Sequence, residues 1–111
     1  MKLNITDAAH EQLKLLQIEE YSYLRLYYDT EGMGCGVNGL PTIRLTNNYY
    51  DKTDERVENE QYSVIIDHQQ ATFFRKEMKL DFIKNTFRLS SPEGVLNPII
   101  PTVSVKKEAV L

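Results

Sequence analysis

Apolar and polar positions alternate along this chain with two different periods, and the switches between them predict its elements. Between Thr6 and Gln17 the apolar residues Ala9, Leu13 and Leu16 recur at i, i+4 and i+7. That is one stripe of a short helix, which Thr6 or Asp7 can cap. From Tyr23 to Asp29 the period falls to two, with Leu24, Leu26 and Tyr28 facing one way and Tyr23, Arg25 and Tyr27 the other, as in a half-buried strand. Thr42 to Thr46 repeats the pattern, setting Ile43 and Leu45 against Thr42, Arg44 and Thr46. Tyr62 to Ile66 is nearly continuous in apolar character and predicts a strand buried on both faces. Asp67 is predicted to end it and to cap a second helix over 68 to 77, with Ala71, Phe74 and Met78 on one stripe. Met78 to Ile83 alternates again, and Phe87 to Leu89 is predicted to pair back through a tight turn at Lys84-Asn85-Thr86.

Two stretches break these periods. Residues 31 to 39 hold four of the five glycines, so they predict a loop joining the strands on either side into an irregular hairpin. From Ser91 onward Pro92, Pro98 and Pro101 argue against a helix or a central strand, and predict a tail over 91 to 111 lying on the surface or across a partner. The tally is five or six short strands and two short helices. The expected fold is mainly β, a mixed β-sandwich with two short α-helices at its margin.

At 111 residues with 41% apolar content, the chain is expected to be a single domain, 1–111, with an unaided core. Its single cysteine, Cys35, excludes an intramolecular disulfide, a four-cysteine zinc site and a complete cluster cage within one protomer. A free thiol and the lack of a secretory leader predict the cytoplasm, and no apolar run is long enough for a membrane helix. The net charge of −3 disfavours a broad nucleic-acid footprint. Residues 51 to 60 carry five acids and two bases, and residues 75 to 88 five bases and two acids. These runs read as a solvated loop and a solvated strand face.

Gly34-Cys35-Gly36-Val37-Asn38-Gly39 formally fits the dinucleotide pattern G-x-G-x-x-G. That pattern works by opening a helix toward a pyrophosphate, whereas here Leu40-Pro41-Thr42-Ile43 leads into a strand. Gly34 and Gly36 leave space around the Cys35 sulfur and allow main-chain N–H groups to turn toward it, which suits a metal-bound or nucleophilic thiolate. The alternative is a small buried hydrophobe beside a turn. His10 and His68 are expected to be exposed or capping, because nothing in their spacing brings them to Cys35 or to each other. The carboxylate pairs Glu19-Glu20 and Asp54-Glu55 are expected in solvated turns, unsuited to acid–base work. The seven tyrosines fit strand faces or an interface.

Several segments in order give the chain a recognisable character. Ile5-Thr6-Asp7-Ala8-Ala9, Leu24-Arg25-Leu26, Gly34-Cys35-Gly36, Val64-Ile65-Ile66-Asp67, Leu80-Asp81-Phe82 and Phe87-Arg88-Leu89-Ser90-Ser91-Pro92 resemble successive motifs of the HesB/IscA family of iron–sulfur cluster biogenesis proteins. The resemblance implies a HesB-like mixed β-sandwich and places Cys35, in its Gly34/Gly36 loop, where the family has its first cluster ligand. The family's cluster-binding members carry a further C-G-C motif shortly after the Ser91-Pro92 segment, and this chain reads Glu93-Gly94-Val95-Leu96-Asn97-Pro98-Ile99-Ile100-Pro101-Thr102 there. Cys35 is therefore the one cysteine that can be carried over as a metal ligand. The implied role is that of a non-enzymatic accessory factor in cluster assembly or iron handling, with iron or a cluster shared with a partner, either a second copy or another assembly protein. The alternative is a protein or small-ligand binding module that kept the fold and lost the cluster site.

Overall fold

The computed structural model describes residues 1–30 and 39–106. Eight strands, β1 (Lys2–Ile5), β2 (Tyr23–Asp29), β3 (Leu40–Thr46), β4 (Asp54–Val57), β5 (Val64–Asp67), β6 (Glu77–Ile83), β7 (Thr86–Ser91) and β8 (Gly94–Ile100), accompany two short helices, α1 (Asp7–Leu15) and α2 (Thr102–Val105). The strands form two four-stranded mixed sheets, ordered β1-β6-β7-β8 and β3-β2-β5-β4. Each sheet contains one parallel pair, β1 with β6 and β2 with β5, and its other pairs are antiparallel.

The period-two residues explain how the sheets pack. Leu3, Met78, Leu80, Phe87, Leu89 and Ile100 of the first sheet meet Leu24, Leu26, Ile43, Leu45, Val64 and Ile66 of the second in one buried cluster. Val64, Ile65 and Ile66 are all buried, as expected of a strand covered on both faces. Helix α1 adds Ala9 and Leu13 to this core, and Leu16 packs against it. Its cap is Thr6, whose Oγ1 accepts the Ala9 N–H at 3.2 Å and donates to Asp81 Oδ1 at 2.8 Å, tying the helix start to β6. The β6–β7 hairpin turns on Lys84 and Asn85, both at positive φ, with Ile83 and Thr86 paired in register. Two left-handed residues match the twist of the flanking strands.

Four expectations need correction. The second helix over 68 to 77 is absent: Asp67 Oδ1 accepts the Gln69 N–H at 2.7 Å, but the turn it starts yields only a 3-10 segment, Ala71–Phe73. The chain must cross here from β5 in one sheet to β6 in the other, and Phe74 points into the core on the way. The tail is largely strand, because β8 lies at the edge of its sheet, where the missing N–H of Pro98 is tolerated. Pro101 then precedes α2 instead of excluding it, as its fixed φ suits a helix start. The acidic stretch 51 to 60 contains β4, with Asp54 and Val57 buried, so it is not simply a solvated loop. In addition, β1 forms at the N-terminus, where the alternation of Lys2, Leu3, Asn4 and Ile5 was too short to separate from background.

The Thr6 bond to Asp81 is the largest influence holding that carboxyl below the usual carboxylate range; burial opposes it, and the Phe82 N–H, Lys79 and Arg88 reinforce it. A depressed folded-state value gives stability that is present above the unfolded value of about 3.9 and is lost as pH falls through the folded one. Thr6→Ala is expected to cost about 1 kcal/mol in urea unfolding at neutral pH. The same substitution should also flatten the acid limb of the stability curve. An unchanged limb would show that the Thr6–Asp81 contact does not set the carboxyl.

Candidate functional site

Strands β2 and β3 stay in register up to the pair Asp29 and Leu40. The connection between them carries Gly34, Cys35 and Gly36, and these three residues lie outside the described residues. What is described is the base of the hairpin. Gly39 marks the closest approach of its two strands: a Cβ there would lie 2.5 Å from the Asp29 carbonyl oxygen and 2.9 Å from both Thr30 Cγ2 and Tyr28 Cε2. On the inner side the Tyr28 ring stacks on Phe73 at 3.7 Å between centroids, and the Tyr28 N–H donates to Gln70 Oε1 at 3.0 Å. On the outer side Asp29 pairs with Arg44 of β3 at 3.1 Å, and Arg44 also donates to the Ser104 carbonyl of α2. Asn97 of β8 reaches the same region, donating to the Pro41 carbonyl at 2.8 Å. The C-terminal arm thus lies against the hairpin that bears the thiol.

The outer face of β2 and its neighbours is a layer of arginines and aromatic rings. Arg25 grips Asp54 with two hydrogen bonds of 2.6 Å and donates a third to the Asn48 carbonyl at 3.2 Å. Asp54 Oδ2 also accepts the Tyr50 N–H at 2.8 Å. Asp54 is only 7% exposed, which corrects the expectation of a solvated turn. Sequence reasoning missed it because its partner lies 29 positions earlier, and the only local signal was Val57 restoring an apolar position three residues on. Burial pushes the Asp54 carboxyl up. The hydrogen bonds from Arg25 and Tyr50, together with the guanidinium charge, outweigh that and hold it below the usual carboxylate range. Beside this pair Arg56 lies 5.5 Å from the Tyr23 ring centroid and 5.6 Å from that of Tyr49, and Arg44 lies 5.3 Å from that of Tyr27.

The histidines do not converge. His10 Nδ1 lies 2.6 Å from the Tyr62 hydroxyl, and His68 Nδ1 lies 3.2 Å from Glu55 on the open surface. Glu19 and Glu20 are exposed in a 3-10 turn, as expected. Among the described residues no three His, Cys, Asp or Glu side chains gather closely enough to hold a metal ion. Among them, too, no helix is long and apolar enough to cross a membrane.

This arrangement of two mixed sheets is shared with solved structures. A Lactobacillus acidophilus protein provisionally named for Fe–S biosynthesis superposes with a TM-score of 0.73 at 21% identity, over 95% of this chain and 93% of that one. IscA, crystallised with a [2Fe–2S] cluster, superposes with a TM-score of 0.60 at 18% identity, over 88% of this chain and 98% of that one. The fold is therefore the one on which such proteins are built. Residues 1–104 match the model of the iron–sulphur cluster biosynthesis family, and the uncharacterized Bacillus subtilis (strain 168) protein YqkB is 33% identical over 101 residues, 88% of this chain and 94% of that protein. The chain belongs to this iron–sulphur cluster biosynthesis family, also known as HesB/IscA.

Two substitutions test the scaffold around the site. Asp54→Ala leaves the Arg25 guanidinium without its carboxylate in a largely buried setting and should cost about 3–5 kcal/mol in urea unfolding at neutral pH. The loss should shrink as pH falls through the folded-state value of Asp54, because the wild-type carboxylate is then neutralised as well. Gly39→Ala meets main chain at 2.5 Å and should cost about 1–3 kcal/mol. A melting temperature equal to wild type would show that the hairpin base has room to spare.

Proposed function

We propose that this protein is a non-enzymatic accessory factor in iron–sulfur cluster assembly or iron handling, contributing the Cys35 thiolate as a single ligand toward iron or a cluster. The observation that carries this reading is the family match over residues 1–104 together with the retained Gly34-Cys35-Gly36 sequence between two paired strands. The donor set fixes the stoichiometry. A [2Fe–2S] or [4Fe–4S] cluster takes four protein ligands, and this chain has one thiol, so the remaining ligands come from a second copy, another assembly protein or exogenous thiols. The cluster is then cargo shared across chains, and a cytoplasmic location keeps the thiol reduced.

A second reading has its own support. The stretch 93 to 102, where the family resemblance implies a C-G-C motif in cluster-binding members, here builds β8 and leads into α2, with Asn97 and Ile100 buried. Val95, Ile99 and Val103 of this arm are exposed. On this reading the fold serves as a binding module for a protein or a small ligand, and Cys35 is dispensable.

Anaerobic reconstitution with ferrous iron and sulfide separates the two. The accessory role predicts bound iron and acid-labile sulfide with visible absorption in the wild type, and their loss in Cys35→Ser. Absence of visible absorption and of bound iron in the wild type, identical to Cys35→Ser, would remove direct iron or cluster binding and leave the binding-module reading.

A further inference from the structure

We propose that the outer face of the first sheet, centred on Arg88, is a docking surface for an acidic segment of a partner protein, which sets a carboxylate on Arg88 and Lys79 and apolar side chains on Val95 and Ile99. The proposal holds for either reading of function, because an accessory factor and a binding module both have to hold another protein, and its test involves no iron.

Alternation puts Met78, Leu80, Phe87 and Leu89 into the core and turns Lys79, Asp81, Arg88 and Ser90 to the other face of β6 and β7. Register then lays two rows across that face. One runs Asn4, Lys79, Ser90, Val95 over all four strands. The other runs from Asp81 to Arg88 and on to the irregularity in β8, where Pro98 and Ile99 together fall between the pairs Leu89–Asn97 and Phe87–Ile100. Lys79 and Pro98 are exposed, as are Val95 by 54% and Ile99 by 62%.

An aspartate directly opposite an arginine ordinarily makes a favourable cross-strand pair. Asp81 is engaged elsewhere. Its Oδ1 accepts the Thr6 hydroxyl and the Phe82 N–H, both at 2.8 Å, and Arg88 acts on it only as a nearby charge. Among the described residues the Arg88 guanidinium forms no ion pair, and its Nε is buried without a hydrogen-bond partner. A buried donor without an acceptor opposes folding, so the stability of the free protein is a poor reason for an arginine here. A guanidinium already partly removed from water has less to lose on binding, and its planar fork matches a carboxylate.

Charge decides the occupant. The next row toward the start of β1 sets Lys2 opposite Glu77 and is balanced, and Lys2 also meets Glu58 at 3.7 Å. Glu93, just before β8, is already paired with Arg75 at 3.2 Å. Lys79 and Arg88 are left as uncompensated cations, with Lys84 exposed in the turn beyond them. A chain of net charge −3 thus presents a positive face beside two exposed apolar side chains. That combination suits a carboxylate flanked by apolar residues, whereas an anionic membrane draws on clusters of about four to eight lysines and arginines.

The test uses the full chain to select from a phage-displayed library of random linear peptides, and the enriched peptides are then titrated by fluorescence polarisation. Enriched sequences are expected to set Asp or Glu beside apolar residues, with affinity falling as salt rises. Arg88→Gln should weaken binding about tenfold or more, and Arg88→Lys should recover only part of it, because an ammonium cannot form the fork. Val95→Ser and Ile99→Ser should each weaken it about threefold. Arg56→Gln, on the other sheet, should leave it unchanged. Because Arg88 is in no ion pair, Arg88→Gln is expected to melt no lower than wild type; if it does not fold, Lys79→Gln and Arg88→Lys decide the matter by their loss of affinity. Failure to enrich acidic peptides would overturn the proposal, as would wild-type affinity in Arg88→Gln or an equal loss in Arg56→Gln. Arg88-dependent binding to phosphatidylserine vesicles in place of peptides would assign the face to a membrane and overturn it as well.

Discussion

Two parallel strand pairs determine the path of this chain. β1 lies beside β6, more than seventy residues away, and β2 lies beside β5 across the whole β3–β4 excursion. A parallel pair cannot be closed by a tight turn, so each demands a long connection: β2 reaches β5 through β3 and β4 of its own sheet, whereas β1 reaches β6 only by passing into the other sheet and back. The outward passage carries α1 over the core, and the return from β5 to β6 carries Phe74 into it. Everything local, including the helix cap on Asp81 and the hairpin that bears Cys35, is arranged around strands that meet only after long separations.

Legibility in the sequence follows the same division between local and distant. Strands β2, β3, β5, β6 and β7 were readable because each alternates or runs apolar over enough residues to stand out, and α1 because its stripe begins at a capping threonine. β1 and β4 are four residues long, and a single alternation of that length says little until a partner is supplied. The stretch after Asp67 had the cap and the stripe of a helix, yet the need to change sheets outweighed both. The prolines of the tail argue against a central strand, but an edge strand has a free side on which a missing donor costs nothing.

For the candidate site the sequence points to a position, and the structure describes the hairpin base on either side of it in the chain. Cys35 stands out as the sole thiol, flanked by glycines, and the family resemblance implies a ligand position for it. Arg44, Asn97 and Asp54 gave no comparable signal, because what distinguishes each is a partner 29 to 60 positions distant. Asp54 was misread for that reason: a carboxylate in an acidic run looks solvated until an arginine from another strand reaches it. Buried polar residues of this kind depend on tertiary contacts that no local pattern encodes.

The ends of the two sheets have a consequence for how the protein meets other chains. Pro41 interrupts the donors of β3, and Pro98 those of β8. β4 is short and carries Glu55 and Arg56. β1 is equally short and is already bridged on its outer side by Glu58, whose carbonyl accepts the Leu3 N–H at 3.0 Å. Each of the four outer strands is therefore blunted against the addition of a foreign strand, a standard protection against amyloid-like growth. A protein that docks on these sheets is therefore expected to recognise side chains and loops, without the near-irreversible pairing that an open sheet edge invites.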